Sequence, residues 1–280
     1  MFKKFLAYPH ILWSLTFVIA PIILVLVYSL NVVGTNGVSL FSLENYIKLM
    51  DPKYIEIFIK SINLAVISSI ICLVLGYPIA MIIATRDRES KKGGALLWLF
   101  VLPMWMNMLL RTYSWLTILE KNGILNNILE FLSLPKINIL YTSGAIILGM
   151  VYNFLPFMIL PIYSVLIKID RSVIEAAEDL GANAFQIFKK ITLPISIPGV
   201  ISGITMVFLP AVTTFIISKL LGGGHYMLIG NLIENQFLVA DNWNFGSAIS
   251  LIMMVVILLC MGIMNIFEKK SSPNKKGGIK

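Results

Sequence analysis

The sequence predicts an all-α polytopic membrane protein with six transmembrane helices, and three observations carry that prediction. Of the 280 residues 58% are apolar and 13% charged, and the mean hydropathy of +0.88 lies far above that of a soluble globular domain. The charges gather in short clusters between uncharged runs of 18 residues or more, each long enough to cross about 30 Å of hydrocarbon as a helix. The net charge of +8 is confined to alternate hydrophilic segments, which fits a chain that crosses a bilayer an even number of times.

The predicted helices cover 11–30, 61–85, 95–118, 143–167, 195–218 and 244–267 of a single domain, 1–280. The first follows Lys3 and Lys4 in the manner of a signal peptide. It exceeds an ordinary apolar core, carries Pro21 and precedes no small-residue cleavage pattern, so it is read as a retained helix. The loop from Asn31 to Lys60 holds a short interfacial helix over Phe41–Tyr46, ahead of Asp51 and Pro52. The second helix carries Gly76, Tyr77 and Pro78 and turns within Arg86–Gly94 into the third, which makes the two antiparallel neighbours.

Pro103 lies inside the third helix, and 122–129 spells a short amphipathic helix after it. Gly144, Gly149, Pro156 and Pro161 punctuate the fourth helix. The fifth begins around Pro194 and Pro198 and includes Pro210, and Gly222–Gly224 mark a loop beyond it. Proline within a span bends it and frees a carbonyl, which a neighbouring helix or a water-filled cavity must satisfy.

Placing the charges orients the chain. Lys3, Lys4, Arg86, Arg88, Lys91, Lys92, Lys168, Arg171, Lys189, Lys190, Lys269, Lys270, Lys275, Lys276 and Lys280 are 15 of the 22 basic residues and fall on one side with seven acidic ones. The other side is neutral. The positive-inside rule therefore puts both termini, 86–92 and 168–190 in the cytoplasm of a bacterial cell, and 35–55, 120–136 and 220–241 outside. Attraction to anionic membrane lipid explains the basic loops, and nothing in the pattern calls for nucleic acid. Cys72 and Cys260 both fall in spans and read as packing residues, and His10 and His225 flank no acidic cluster, so no metal site is expected.

The cytoplasmic segment 168–193 has its own character. Ser172 and Glu175 have capping-box spacing, and Ile174, Ala177, Leu180 or Gly181, Ala184 and Phe188 recur on one helical face. Glu175, Glu178 and Asp179 sit toward its start and Lys189 and Lys190 at its end, as the helix dipole favours. Its spelling is Glu175-Ala176-Ala177, three residues, Gly181, nine residues, Ile191, any residue, then Leu193-Pro194. No phosphate-cradling Gly-rich loop with its lysine occurs in the chain, so nucleotide hydrolysis would belong to another subunit.

That spelling resembles the EAA signature of permeases of bacterial binding-protein-dependent importers of the ATP-binding-cassette superfamily. Beyond it, Phe100–Pro103, Leu110–Trp115, Asn122–Asn126, Tyr152–Phe157, Leu160–Tyr163, Leu220–Gly223 and Ile229–Ile233 with Gln236-Phe237 resemble the B-type permeases of spermidine and putrescine importers. The resemblance implies the type I importer permease fold, with a coupling helix in the 168–193 loop. It also implies a homologous C-type permease, two copies of a cytoplasmic ATPase carrying ATP and magnesium, and an extracytoplasmic polyamine-binding protein. The chain itself would bind no cofactor and catalyse nothing.

Glu175, Ala176, Ala177, Asp179, Gly181, Leu193 and Pro194 are then the residues expected to meet the ATPase. The small alanines allow close docking, and Pro194 is expected to break the connector before the fifth helix. Polyamines are polycations, yet no carboxylate interrupts the six apolar runs. The pathway candidates are therefore the aromatics Trp105, Tyr113, Trp115, Tyr152 and Tyr163, with Arg111 at a span end and Glu234 and Asp241 near the outer mouth. Each also has an ordinary packing or solvated role open to it. A permease for another small solute or ion, and a stand-alone secondary carrier, are the alternative functions.

Overall fold

A computed structural model describes residues 12–33, 39–90 and 93–271. Lys3, Lys4, His10, Lys91, Lys92, Lys275, Lys276 and Lys280 lie outside them. In chain order the elements are α1 (Leu12–Ser29), β1 (Asn31–Val33), β2 (Ser39–Phe41), α2 (Glu44–Lys48), α3 (Pro52–Ser90), α4 (Gly93–Val101), α5 (Met108–Leu119) and α6 (Ile124–Phe131). There follow α7 (Ser143–Leu166), α8 (Arg171–Asp179), α9 (Ala184–Ile187), α10 (Leu193–Thr213), α11 (Ile216–Leu221), α12 (Ile229–Leu238) and α13 (Trp243–Ser271).

Among the described residues five helical stretches are long and apolar enough to cross a membrane: α1, α3, α7, α13 and the run Ala184–Thr213 that ends in α10. The bent pair Gly94–Trp105 and Met108–Phe131, whose arms meet at 93°, makes six when it is counted as one span. The third helix is thus not the single 95–118 segment its hydropathy predicts. Pro103 lies in a 3₁₀ turn, Leu102–Trp105, after which Met106 turns extended and Asn107 caps α5, its side chain accepting from Leu109 N at 2.8 Å. Proline lacks the donor that would carry the helix through, and asparagine starts a new one.

Three other boundaries differ from the sequence reading. Helix α3 runs well past 61–85 at both ends, because a helix persists through charged turns that only end the apolar run. The fifth helix ends at Thr213 rather than 218, where Thr214 takes an extended ψ of 137°, and α11 follows as a separate element. The short helix expected over Phe41–Tyr46 is α2, one strand later than its predicted start.

The chain divides into two compact units, Met1–Ile59 with Ile229–Leu259 and Lys60–Leu228 with Cys260–Lys280. The core of the second is the pair α7 and α10. A Cβ on Gly199 would stand 2.9 Å from Pro161 O, and one on Gly203 would stand 2.8 Å from Met158 Sδ and 3.2 Å from its carbonyl oxygen. The Gly-x-x-x-Gly spacing therefore lets two backbones approach closely, the means by which helices associate where lipid removes the hydrophobic drive. Tyr77 of α3 joins this core, its hydroxyl 2.7 Å from Ser196 Oγ and its ring edge-on to Phe188 at 5.8 Å.

In the first unit β1 and β2 pair antiparallel, Val32 opposite Leu40. Asn45 of α2 donates to the carbonyls of Ser29 (3.1 Å) and Asn31 (3.0 Å), and the Tyr46 hydroxyl donates to Ser29 Oγ at 2.8 Å. These bonds tie the end of α1 to the segment after it.

Candidate functional site

Residues 170–194 form a cap, a helix, a sharp stop and a second helix entry. The N-cap of α8 is Asp170, whose carboxylate accepts from Ser172 N at 3.0 Å, and the Ser172 backbone N–H and hydroxyl hold this carboxyl below its ordinary range. The capping box expected between Ser172 and Glu175 is absent. Glu175 instead accepts from Arg171 Nε at 2.7 Å, one turn away, because Ser172 is already inside the helix. A reciprocal box does form one helix later, between Asn183 and Gln186 at 2.9 and 3.0 Å. Its Asn-x-x-Gln spelling is a signal present in the sequence.

Helix α8 stops in a Schellman turn. Gly181 N donates to Glu178 O at 2.8 Å and Ala182 N to Ala177 O at 3.0 Å, with Gly181 at φ +79°. A side chain at 181 would meet nothing within 4 Å of its own chain, so the glycine answers to backbone conformation here and not to crowding. Ala176 and Asp179 face solvent, as does Glu175.

The expected apolar face is split. Ile174 and Ala177 are half-buried, and Ile174 lines a recess of about 350 Å³ with Met81, Thr85, Arg88 and Phe188. Leu180 and Phe185, by contrast, are 89% and 69% exposed. The periodicity offers Leu180 or Gly181 for the inward face, and the helix stop turns Leu180 out. Two large apolar side chains held outward beside a charged helix are the feature that sequence periodicity missed.

Pro194 does not break the connector. The stretch Ala184–Thr213 is one continuous helical run in which Phe188–Thr192 form a π-helical turn, with Leu193 N donating to Phe188 O. The wider turn makes room for the proline ring and its missing donor. Three further bonds join α3 to its neighbours here. Arg88 Nη1 donates to Ile169 O at 3.4 Å, and Asp87 accepts from the Tyr163 hydroxyl at 2.7 Å and from Gly94 N at 3.0 Å.

Within the second unit the aromatic pathway candidates have different neighbours. Trp115 and Tyr152 meet edge to face at 5.3 Å and line an apolar groove with Ile71, Leu148 and Val151. Trp105 packs against Trp98 at 6.1 Å and is 75% exposed, and Tyr113 is also exposed. Tyr163 is bound to Asp87 near the opposite end of α7 from Tyr152, one helical turn from its last residue. Arg111 is buried, and its Nε and Nη1, with Asn153 Oδ1, are the buried side-chain polar atoms without a partner among the described residues. Glu234 lies on α12, and Asp241, at φ +48°, accepts from the Trp243 indole N–H at 2.8 Å. Among the described residues no group of His, Cys, Asp and Glu has the clustering of a metal site.

Residues 76–273, which include the whole of this segment, match the family model for the binding-protein-dependent transport system inner membrane component. The chain belongs to that family. It is 43% identical over 252 residues to the spermidine/putrescine transport system permease protein PotB of Haemophilus influenzae, covering 88% of this chain and 87% of that one. The Escherichia coli protein of the same description is 38% identical over 277 residues, 94% and 96% of the two chains. Among solved structures, a bacterial ABC transporter that imports the acidic polysaccharide alginate contains a chain of the same fold, with TM-score 0.75, 18% identity and 97% of both chains covered. A chain of the inward-facing methionine transporter MetNI matches with TM-score 0.57 at 15% identity over 82% of this chain and 99% of its own. The chain is thus a multi-pass membrane permease component of the ABC-importer fold and not an enzyme.

Proposed function

We propose that this chain is a permease subunit of an ATP-driven polyamine importer, forms half of its translocation pathway, and receives the ATPase stroke through residues 171–181. The observation that carries the lever is the outward shape of that segment. A short helix ends at a positive-φ glycine and leaves Glu175, Asp179 and Leu180 exposed, and Phe185 is exposed on the helix that follows. Apolar surface of this kind, rimmed by charge, is stabilised by a partner. The substrate class rests on the likeness to the spermidine/putrescine permeases, which extends over most of both chains.

In this reading Ala176 and Ala177 let an ATPase groove approach the helix, and Glu175 offers a carboxylate already oriented by Arg171. Leu193 and Pro194 continue the stroke into α10, since the connector is helical throughout. ATP binding on the ATPase pair would draw this segment toward its counterpart on a C-type permease and shift the population between inward- and outward-open states. An extracytoplasmic protein delivers the polyamine. The basic segments and both termini face the cytoplasm.

The test is spermidine uptake and stimulated ATP hydrolysis by the reconstituted four-component transporter. Glu175→Lys replaces an anchor by a repelling charge, so both activities fall together by about tenfold or more, equal to about 1.4 kcal/mol of docking. Normal insertion should accompany the loss. Wild-type uptake in the variant would remove Glu175 from the lever, and a wild-type transporter that takes up no polyamine would overturn the substrate class.

A further inference from the structure

Trp243 opens α13 at the centre of an aromatic group that no pathway candidate explains. Its ring lies 6.5 Å from that of Tyr28 and meets Phe237 edge-on at 5.3 Å. Its indole N–H is spent on Asp241 Oδ1 at 2.8 Å, and Asp241 Oδ2 has no partner among the described residues. Tyr28, Asp241, Trp243 and Asn244 with the backbone of Ala240 and Asn242 line a cavity of about 570 Å³, within the range of small-ligand pockets.

The cavity is built. Asp241 is held at φ +48° by bonds on either side, Ala240 N to Asn235 O at 2.9 Å and Asn242 N to Gln236 O at 2.8 Å. Asn242 Oδ1 accepts from Phe245 N at 3.1 Å and fixes the start of α13. On the opposite wall, the bonds from Asn45 and Tyr46 to Ser29 anchor the residue next to Tyr28. A non-glycine residue stays in the left-handed region where its surroundings dictate it, and here they hold the carboxylate at the indole N–H, beside the Tyr28–Trp243 ring pair.

We infer that this pocket is a binding site for a primary alkylammonium group, which in the polyamine reading on which the ligand rests is one end of the substrate. The free carboxylate oxygen accepts a charged hydrogen bond from the ammonium, the Trp243 and Tyr28 faces attract its charge, and their apolar surface receives the alkyl chain. The pocket lies beside the segment that faces outward in the proposed topology, where a delivered amine would first meet the permease.

The experiment uses the whole transporter in nanodiscs, labelled with 5-fluorotryptophan, with the Trp243 resonance assigned by Trp243→Phe. Spermidine and, separately, n-butylamine are titrated without the delivery protein. Both should move the Trp243 signal, and Asp241→Asn, which tolerates the same backbone conformation, should weaken that response about tenfold. Tyr28→Ala should weaken it less. Copurification of the ATPase confirms that each variant assembles. A Trp243 signal that ignores both amines, or an equal response in Asp241→Asn, overturns the site. Asp241-dependent binding in a transporter that imports no polyamine keeps the site and removes the polyamine reading. Polyamine uptake with an unresponsive Trp243 does the reverse.

Discussion

The α7–α10 contact and the segment 171–181 both depend on glycine, for opposite reasons. At Gly199 and Gly203 the missing side chain leaves room for another backbone, and every neighbour that needs the room belongs to the same chain. At Gly181 there is no neighbour within 4 Å, and the residue is chosen for a φ that other residues resist. A surface that keeps its shape with nothing of its own pressing on it has its selective reason elsewhere. The first region is explained by packing within the chain, and the second leaves its surface open, as the proposed docking requires.

The largest expected effect therefore comes from the buried side of that comparison. Gly199→Leu drives a side chain into Pro161 O and Ile162 Cα, backbone that cannot move aside, and overpacking of this kind costs about 1–3 kcal/mol or more. Recovery of monodisperse protein after detergent extraction should fall severalfold. Full recovery would mean that α7 and α10 pack less tightly than described.

Leu180→Ser with Phe185→Ser should leave that recovery unchanged, since both side chains are exposed. Retention of the ATPase on a tagged permease should drop markedly. If the ATPase stayed bound, the outward apolar pair would have no part in docking, and the contrast with the buried glycines would blur. Gly181→Ala is milder. It places a Cβ in the left-handed region at a cost of about 1–2 kcal/mol, confined to the helix stop, so stimulated hydrolysis should decline while extraction yield holds. Gly181→Asn should restore part of the loss, which a purely steric role for the position would not permit.

The smallest effect concerns Asp170. Its carboxyl is held below the ordinary range by Ser172, so the cap it supplies is present above the unfolded-state value and is lost as pH falls through the lowered folded one. Amide exchange in α8, after correction for the intrinsic rate, should accelerate only at acidic pH, and Asp170→Ala should remove that dependence. A pH step that survived the substitution would assign the effect to another carboxylate.

Much of this was legible in the sequence where hydropathy or exact spelling carried it. The all-α polytopic fold is legible in the uncharged runs, and the family in the spelling of 175–194. What escaped depends on geometry that a hydropathy window averages away. Asn107 is one polar residue in an apolar run, yet it caps a helix and helps turn a span by 93°. Leu180 has the right spacing for the inward face but sits at the stop, where the chain rotates away. Asn126 reads as part of a surface helix, whereas it is buried and clamps Glu120 and Ile137 through their backbone. Burial of a polar side chain depends on partners distant in sequence, and periodicity holds no record of them. Tyr28 and Trp243 are brought together by the same kind of long-range packing.

The π-helical turn at Phe188–Thr192 acts as a phase shifter. Relative to a continuous α-helix it inserts one residue, and one residue corresponds to about 100° of rotation about the axis. Everything before it, from Asn183 through Ile187, is dialled round by that amount against the membrane-spanning part of α10. The direction in which Phe185 points is thus fixed by a local register and is independent of which faces of α10 pack against α7. Deleting a single residue from 189–191 would turn Phe185 to another side of the helix, and in the proposed coupling role of this segment stimulated ATP hydrolysis should fall while the contact of α7 with α10 is kept.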